Sequence, residues 1–505
     1  MSSNNLIFKN SLFLIIRTLV ISLVGFFSVR ELLKLLGVEE YGLFNLVFGI
    51  ATLFAFINGA MISSSQRYLS YYIGKKDHQL LEQAWKSSVI LHAFIGLIVV
   101  LLLFFFKNLI LNSLLVIEIK YKELSQFIYF FSIISIFISI LQAPFNALVL
   151  AYERMSFFAI LSLCDAIVKL GIIYLLYIIS TDILKSYTAL YVLSNFLILL
   201  IYVFYCYKNF NKKLKYGIPD LKILREMFSY SMWNIFGNFS FVAKTQGINI
   251  ILNIFFGVVA NSAYAITNIV ISVIGNLINS IVTAINPQIY KSFANQEFER
   301  NNYLINSASK FSFFLCFLVV LPILFHTRYL LELWLNEIPL YLVDFVQLAL
   351  IVLLIDCLSG SLMTGIQATG KVKIYQIVVS ISVFLNLPLS YLGLRNLEDP
   401  LVIYWIALLM SLISLGLRLY FLSYLIKFNI VVYLKSVIIK IILVVLSSLL
   451  VALLISKLVY TQYIFLSFMI FSFIIVMVIL FNIYIFGLST SEKKFVSSKI
   501  SGYLK

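Results

Sequence analysis

Arg17, Asp165, Lys169, Lys244 and Asp356 lie inside stretches otherwise apolar enough to cross a bilayer. A charge at the bilayer centre costs at least about 2.5–3.5 kcal/mol, so each of these groups must face protein or water. Asp165 and Lys169 are one helical turn apart, and the spacing predicts an internal ion pair that lowers the insertion cost of both. Arg17 is roughly two turns from the end of its stretch, within snorkelling reach of headgroups and equally able to enter a cavity. Lys244 is mid-stretch with no acid at helical spacing, which suits an anion-binding role inside a cavity; the alternative is pairing with a carboxylate of another helix, such as Asp356. Asp356 has no cation at i±3 or i±4 and is the first choice for a proton- or sodium-responsive acid, ahead of Asp165 and Lys169. A neutral, hydrogen-bonded Asp356 is the alternative.

Uncharged polar residues add a second pattern. Asn268, Ser272, Asn276, Asn279 and Thr283, flanked by Asn261 and Asn286, fall within an arc of about 80° when wound at 100° per residue. Such a stripe avoids lipid, either by hydrogen-bonding to neighbouring helices or by lining a wet path for a hydroxyl-rich ligand. Asn234, Asn238, Thr245, Asn249 and Asn253 form another stripe, from which Lys244 is turned by roughly a third of a revolution. Pro144, Pro322 and Pro388 predict kinks. Cys164, Cys206, Cys316 and Cys357 occupy four separate stretches and His78, His92 and His326 are scattered, which points to neither a disulfide framework nor a metal site. Gly365-Ile366-Gln367-Ala368-Thr369-Gly370-Lys371-Val372 nearly spells a phosphate-binding loop, but it ends in Val and follows no strand, so it reads as a turn and no cofactor is expected.

These side chains must be positioned by membrane helices. Of 505 residues, 62% are hydrophobic and 11% charged, against about a quarter charged in soluble proteins. Runs of about 20 apolar residues place spans at 10–36, 41–66, 86–107, 124–148, 157–180, 186–207, 229–256, 262–287, 309–326, 342–366, 375–394, 400–425, 437–459 and 462–487. The first run is too long for a signal-peptide core and is read as a retained helix. The net charge of +16 sits in short loops rather than on one basic face, which excludes nucleic acid and suits lipid headgroups. The expected fold is all-α and polytopic, with two six-helix lobes, 1–207 and 229–425. A basic cytoplasmic linker, 208–228, joins them, and 426–505 adds two helices and a cytoplasmic tail. Gln66-Arg67-Tyr68-Leu69-Ser70-Tyr71 aligns with Gln288-Ile289-Tyr290-Lys291-Ser292-Phe293, and Leu36-Gly37-Val38 with Phe256-Gly257-Val258, which predicts a parallel repeat with a site between the halves.

The run Leu36-Gly37-Val38-Glu39-Glu40-Tyr41-Gly42-Leu43-Phe44-Asn45, with Phe56-Ile57-Asn58-Gly59-Ala60-Met61 and Ser65-Gln66-Arg67-Tyr68-Leu69-Ser70, resembles Wzx-type flippases of the polysaccharide transporter family in the MOP superfamily. Gln246-Gly247-Ile248-Asn249, Phe256-Gly257, Asn286-Pro287-Gln288-Ile289 and Ala368-Thr369-Gly370-Lys371 extend the likeness. The resemblance implies a non-enzymatic, MATE-like bundle in a bacterial cytoplasmic membrane. Such a bundle flips undecaprenyl-diphosphate-linked oligosaccharide by alternating access for O-antigen or capsule. Membrane lipids, a polysaccharide polymerase and chain-length machinery are the implied partners. Rival readings are a lipid II flippase or multidrug antiporter of the same superfamily, a membrane glycosyltransferase or polymerase, and a structural scaffold.

Cations crowd one set of alternate loops, including Arg67, Lys75, Lys76, Lys212, Lys213, Lys215, Lys371 and Lys373, and the positive-inside rule then makes both termini cytoplasmic. A reporter active only in the periplasm should stay silent when fused at Lys212 or Lys505, and activity at either would overturn this orientation.

Overall fold

The computed structural model describes residues 3–114, 117–178, 182–210, 217–335, 338–426, 428–458, 464–494 and 497. The Lys212-Lys213-Leu214-Lys215 part of the linker and the terminal Lys505 lie outside the described residues. Every described element is helical. This follows from the bilayer, where each backbone N–H and C=O must be satisfied within its own segment. The main helices are α1 (Ser3–Leu53), α2 (Ala55–Lys75), α3 (His78–Phe105), α4 (Lys122–Ala151), α5 (Met155–Leu176), α6 (Ile183–Phe210) and α7 (Leu221–Ala294). They continue with α8 (Phe298–Phe325), α9 (Leu342–Asp356), α10 (Ser359–Ala368), α11 (Lys373–Leu397), α12 (Val402–Ile426), α13 (Ile439–Leu458) and α14 (Ile464–Asn482).

Among the described residues, 13 helical segments are long and apolar enough to span a membrane. The expected span 41–66 is the one that departs from the sequence reading. Its first half is the end of α1 and its second half is in α2, with a turn at Phe54 between them. The polar residues Asn58, Ser63, Ser64, Ser65, Gln66, Arg67 and Ser70 make α2 less apolar than a lipid-facing span. α2 is instead packed inside the protein, with Ser64, Leu69 and Ser70 fully buried. Expected spans 10–36 and 229–256 end at Gly37 and Gly257, which break α1 and α7 with closely similar dihedrals, φ 71° and ψ 174° against φ 69° and ψ −163°.

Other left-handed residues also recur roughly 220 positions apart. Lys76 (φ 56°) is matched by Gln296 (φ 60°), Glu153 (φ 59°) by Gly370 (φ 77°), and Asp182 (φ 44°) by Glu398 (φ 52°). Three of them close helix ends in the same way. The amides of Asp77, Arg154 and Glu297 reach back to the carbonyls of Tyr72, Val149 and Ser292 at 3.2, 3.0 and 2.9 Å, the six-to-one bond of a left-handed C-cap.

The chain forms two compact units. The first comprises Met1–Val242, Thr283–Glu297 and Gly370–Ile377, and the second Ala243–Val282, Phe298–Thr369 and Val378–Lys505. In the first, a core around Trp85, Tyr129, Leu148, Tyr202 and Met227 joins α2 to α7. Lipid offers no hydrophobic drive between helices, so close packing and small polar contacts hold them together. Ser88 donates to Ser65 at 2.7 Å, Asn58 to Ser139 at 2.7 Å and Asn195 to Ser135 at 3.0 Å. Large apolar side chains such as Phe26, Phe104 and Leu101 point outward.

In the second unit, Lys310 of α8 donates to Glu492 Oε2 at 2.7 Å and to the Gly487 carbonyl at 3.1 Å, with both charged side chains buried. Glu492 also accepts from the Ser489 amide at 2.6 Å, which closes a capping box after α14. Asn482 of α14 donates to Ser448 of α13 at 3.0 Å, and Ser309 of α8 shares a 2.8 Å hydrogen bond with Tyr433. These bonds fasten the last helices to α8.

Burial alone would push the Glu492 carboxyl up, but the hydrogen bond and charge of Lys310 and the Ser489 amide outweigh it and hold it below its ordinary value. A carboxylate lowered on folding stabilises the fold above its unfolded value near pH 4.3, and the contribution is lost as pH falls through the lowered value. Glu492→Ala should cost about 3–5 kcal/mol by stranding a buried ammonium, whereas Lys310→Met with Glu492→Leu should recover most of it. Melting in detergent from pH 7 to pH 3 checks this, and Glu492→Gln should flatten the acid limb.

Candidate functional site

The intramembrane charges fall into two groups, one in each unit. In the first unit, Asp165 and Lys169 sit on successive turns of α5, with Lys169 Nζ 2.9 Å from Asp165 Oδ2. The ammonium also lies 4.6 Å from the Tyr191 ring centroid on α6. Asp165 Oδ1 is buried and takes no hydrogen bond among the described residues. The Arg17 guanidinium of α1 stacks 4.6 Å from the Phe158 ring centroid, and its Nε is buried and without a hydrogen-bond partner among the described residues. The buried Tyr202 of α6 interacts electrostatically with both Arg17 and Asp165. Arg17 is therefore half-buried and held over an aromatic face within the unit.

In the second unit, Lys244 lies between Gly237 and Gly257 on the first part of α7 and is half-buried, and the carboxylate of Asp356 at the end of α9 acts on it electrostatically. Asp356 is followed by Cys357, whose thiol is hydrogen-bonded to that of Cys316 on α8. Two of the four cysteines thus meet as free thiols, while Cys164 is exposed. Nothing in the sequence spacing signals this pair, which is brought together by the packing of α9 on α8.

The polar stripe occupies the later part of α7. Asn268 is half-buried and hydrogen-bonds to Tyr264, whose hydroxyl also donates to the Thr245 carbonyl at 3.4 Å. Ser272, Asn276 and Asn279 are exposed. Thr283 is half-buried and belongs to the first unit. Ser272 donates to the Ile269 carbonyl at 2.8 Å. An amide or hydroxyl without a partner in hydrocarbon costs about 4–8 kcal/mol, which is the cost this face would meet in lipid. The companion stripe is used differently. Asn234 is buried, accepts from Gln376 at 2.9 Å and donates to the Tyr230 carbonyl at 3.1 Å, which makes it a packing residue.

His92 is buried with Nδ1 2.6 Å from the Ser88 carbonyl, and the His326 ring lies tilted against Phe471 with centroids 4.8 Å apart. Among the described residues, no group of His, Cys, Asp or Glu could hold a metal ion. Gly365 to Ala368 continue α10 and only the following residues turn, so the near match to a phosphate loop has no loop to form a cradle. Sequence reasoning missed Lys310, Glu492, Glu153 and Lys291. Lys310 is at the edge of its expected span, and the pairing of the other three depends on partners far along the chain.

The family model described as polysaccharide biosynthesis protein matches residues 7–293, more than half of the chain. No curated protein matches the sequence. Among solved structures, a crystal structure of a MATE mutant has a TM-score of 0.74 at 13% identity, covering 84% of this chain and 96% of that one. An outward-facing conformation of a multidrug resistance MATE family transporter of the MOP superfamily has a TM-score of 0.73 at 13% identity, covering 84% and 96%. The MATE transporter ClbM in complex with Rb+ has a TM-score of 0.71 at 18% identity, covering 84% and 97%. Identities this low show a shared fold.

The pairing of Asp165 with Lys169 sets an expectation for stability. Lys169→Ala leaves a carboxylate that costs about 2.5–3.5 kcal/mol in the membrane, so its yield and melting temperature should fall. Asp165→Leu combined with Lys169→Met should restore both. Size-exclusion chromatography of tagged variants from membranes measures this, and a normal Lys169→Ala protein would rule out a structural ion pair.

Proposed function

The chain belongs to the polysaccharide biosynthesis protein family, and we propose that it is a flippase for undecaprenyl-diphosphate-linked oligosaccharide. In this reading it works by alternating access in a bacterial cytoplasmic membrane, for O-antigen or capsule. One observation carries the reading: the exposed Ser272, Asn276 and Asn279, with the half-buried Asn268 beside them, on an otherwise apolar membrane helix. A sugar headgroup has many hydroxyls, and each would cost about 4–8 kcal/mol in hydrocarbon without a lined path. Amide and hydroxyl side chains supply both donors and acceptors to such hydroxyls. The substrate's diphosphate would be met by Lys244 and by Arg17, and the polyprenyl tail would stay in lipid.

Two lobes, 1–207 and 229–425, with 426–505 as an addition, would supply the alternating motion. The recurrence of left-handed residues roughly 220 positions apart supports such a repeat. With Asp356 acting on Lys244, binding of an anion to the ammonium would compete with the carboxylate. That competition gives ion coupling a physical route through Asp356, with Asp165 and Lys169 as the second acid–base pair. The family supports a place in polysaccharide biosynthesis, and in this reading a polymerase and chain-length machinery would be the partners.

Proteoliposomes loaded with defined lipid-linked sugars test the reading. Lys244→Ala should lower transport about 10- to 100-fold, the worth of one charge-assisted hydrogen bond, and Lys244→Arg should keep part of it. Lys244→Ala with Asp356→Asn should regain normal yield yet stay inactive. Full transport by a well-folded Lys244→Ala protein would remove the binding role, and transport of lipid II or cationic drugs in place of the oligosaccharide would reassign the substrate.

A further inference from the structure

The matched left-handed residues make Glu153 equivalent to Gly370, and the sequence repeat makes Gln66 equivalent to Gln288 and Tyr71 to Phe293. In the first unit these positions meet one another. The rings of Tyr71 and Phe293 lie 6.5 Å apart, and Gly74 sits so close to α7 that a Cβ would stand 2.8 Å from the Lys291 Cα. Beside this crossing, Gln288 donates to Glu153 Oε2 at 2.7 Å and Lys291 is ion-paired with Glu153 Oε1. On the other side, Arg67 packs against Gly370, where a Cβ would come within 2.7 Å of its Nη2. Its guanidinium lies between the rings of Tyr68, Tyr71 and Tyr230 at 4.5, 4.9 and 5.6 Å. Each copy of the second helix therefore grips the turn that follows a later helix of the other copy. Beneath these contacts, Ser64 and Ser231 are buried and share a hydrogen bond of 2.7 Å.

We propose that these reciprocal contacts, Gln288 and Lys291 on Glu153 and Arg67 on Gly370, form a paired latch that closes one end of the transport path and must release in every cycle. The proposal rests on the alternating-access reading. The contacts are suited to reversal because they are polar: a carboxylate, an ammonium and a guanidinium exchange protein partners for water once their end opens, at small net cost. Apolar packing of the same area would have no such compensation in water. Glu153 presents its carboxylate from a left-handed turn, φ 59°, that is set locally by the backbone cap after α4. The turn at Gly370 has no side chain because Arg67 occupies its space, so the two halves of the latch differ chemically. One is an ion pair with an amide, and the other is a guanidinium on bare backbone. Segment 283–297, which is the end of α7 and its cap, and segment 370–377, which follows α10, both belong to the first unit, as α2 and Glu153 do.

The test uses the full-length protein in nanodiscs, with Cys164, Cys206, Cys316 and Cys357 replaced and Ser64→Cys as the reporter for a water-soluble thiol reagent. With the latch intact the reporter should react slowly, Glu153→Gln should speed it about tenfold, and the swap Glu153→Lys with Lys291→Glu should slow it again. Separately, Glu153→Cys with Lys291→Cys, bridged by a cleavable bis-thiosulfonate, should block both labelling and transport until the bridge is reduced. Equal labelling rates in the parent and Glu153→Gln proteins would overturn the latch, as would undiminished transport by the bridged protein. The labelling readout needs no substrate, so labelling that follows the latch variants supports it even where lipid-linked oligosaccharide is not carried, an outcome that would count against the flippase reading alone.

Discussion

Hydrocarbon offers no hydrogen bonds, and this constraint determines where nearly every polar group of the chain is placed. The backbone meets it by staying helical across each span. Serines meet it in pairs across helix contacts, as Ser65 with Ser88 and Ser64 with Ser231 do. Leucines and phenylalanines cover the outside, because to them lipid and protein interior are alike. α2 can carry Asn58, Gln66 and Arg67 only because neighbouring helices surround it.

The same constraint separates structural from functional polarity. Lys310 with Glu492 and Lys169 with Asp165 have partners at hydrogen-bonding distance, and their charges are largely neutralised inside the protein. Ser272, Asn276 and Asn279 turn outward from a membrane helix. Polar groups arranged this way are not paired into the fold as the ion pairs are, and the proposed function gives them a polar ligand to touch. Arg17 combines the two cases, with its guanidinium stacked on Phe158 and a buried Nε that lacks a partner among the described residues.

Local features were legible from the sequence. The helical class, nearly all spans and the Asp165–Lys169 pair follow from runs of about 20 apolar residues and a spacing of one turn. Alignment of Gly37 with Gly257 anticipated two breaks of the same shape. Long-range pairings were not legible. Glu153 meets Lys291 and Lys310 meets Glu492 across 138 and 182 residues, and no periodicity carries such information. The proximity of Asp356 to Lys244 was open for the same reason. The expected span 41–66 is helical on both sides of Phe54, and averaging over apolar residues hides only the turn at that residue.

The left-handed caps after α2, α4 and α7 also bear on how the protein is made. Each is closed by backbone bonds spanning five residues and requires no distant partner. A helix can therefore stop at its proper residue while the chain is still emerging from the ribosome, before any neighbour exists to pack against it. With similar stops encoded again roughly 220 residues later, the insertion machinery receives the same series of hairpins twice. Only afterwards do the polar contacts between the copies have to be found.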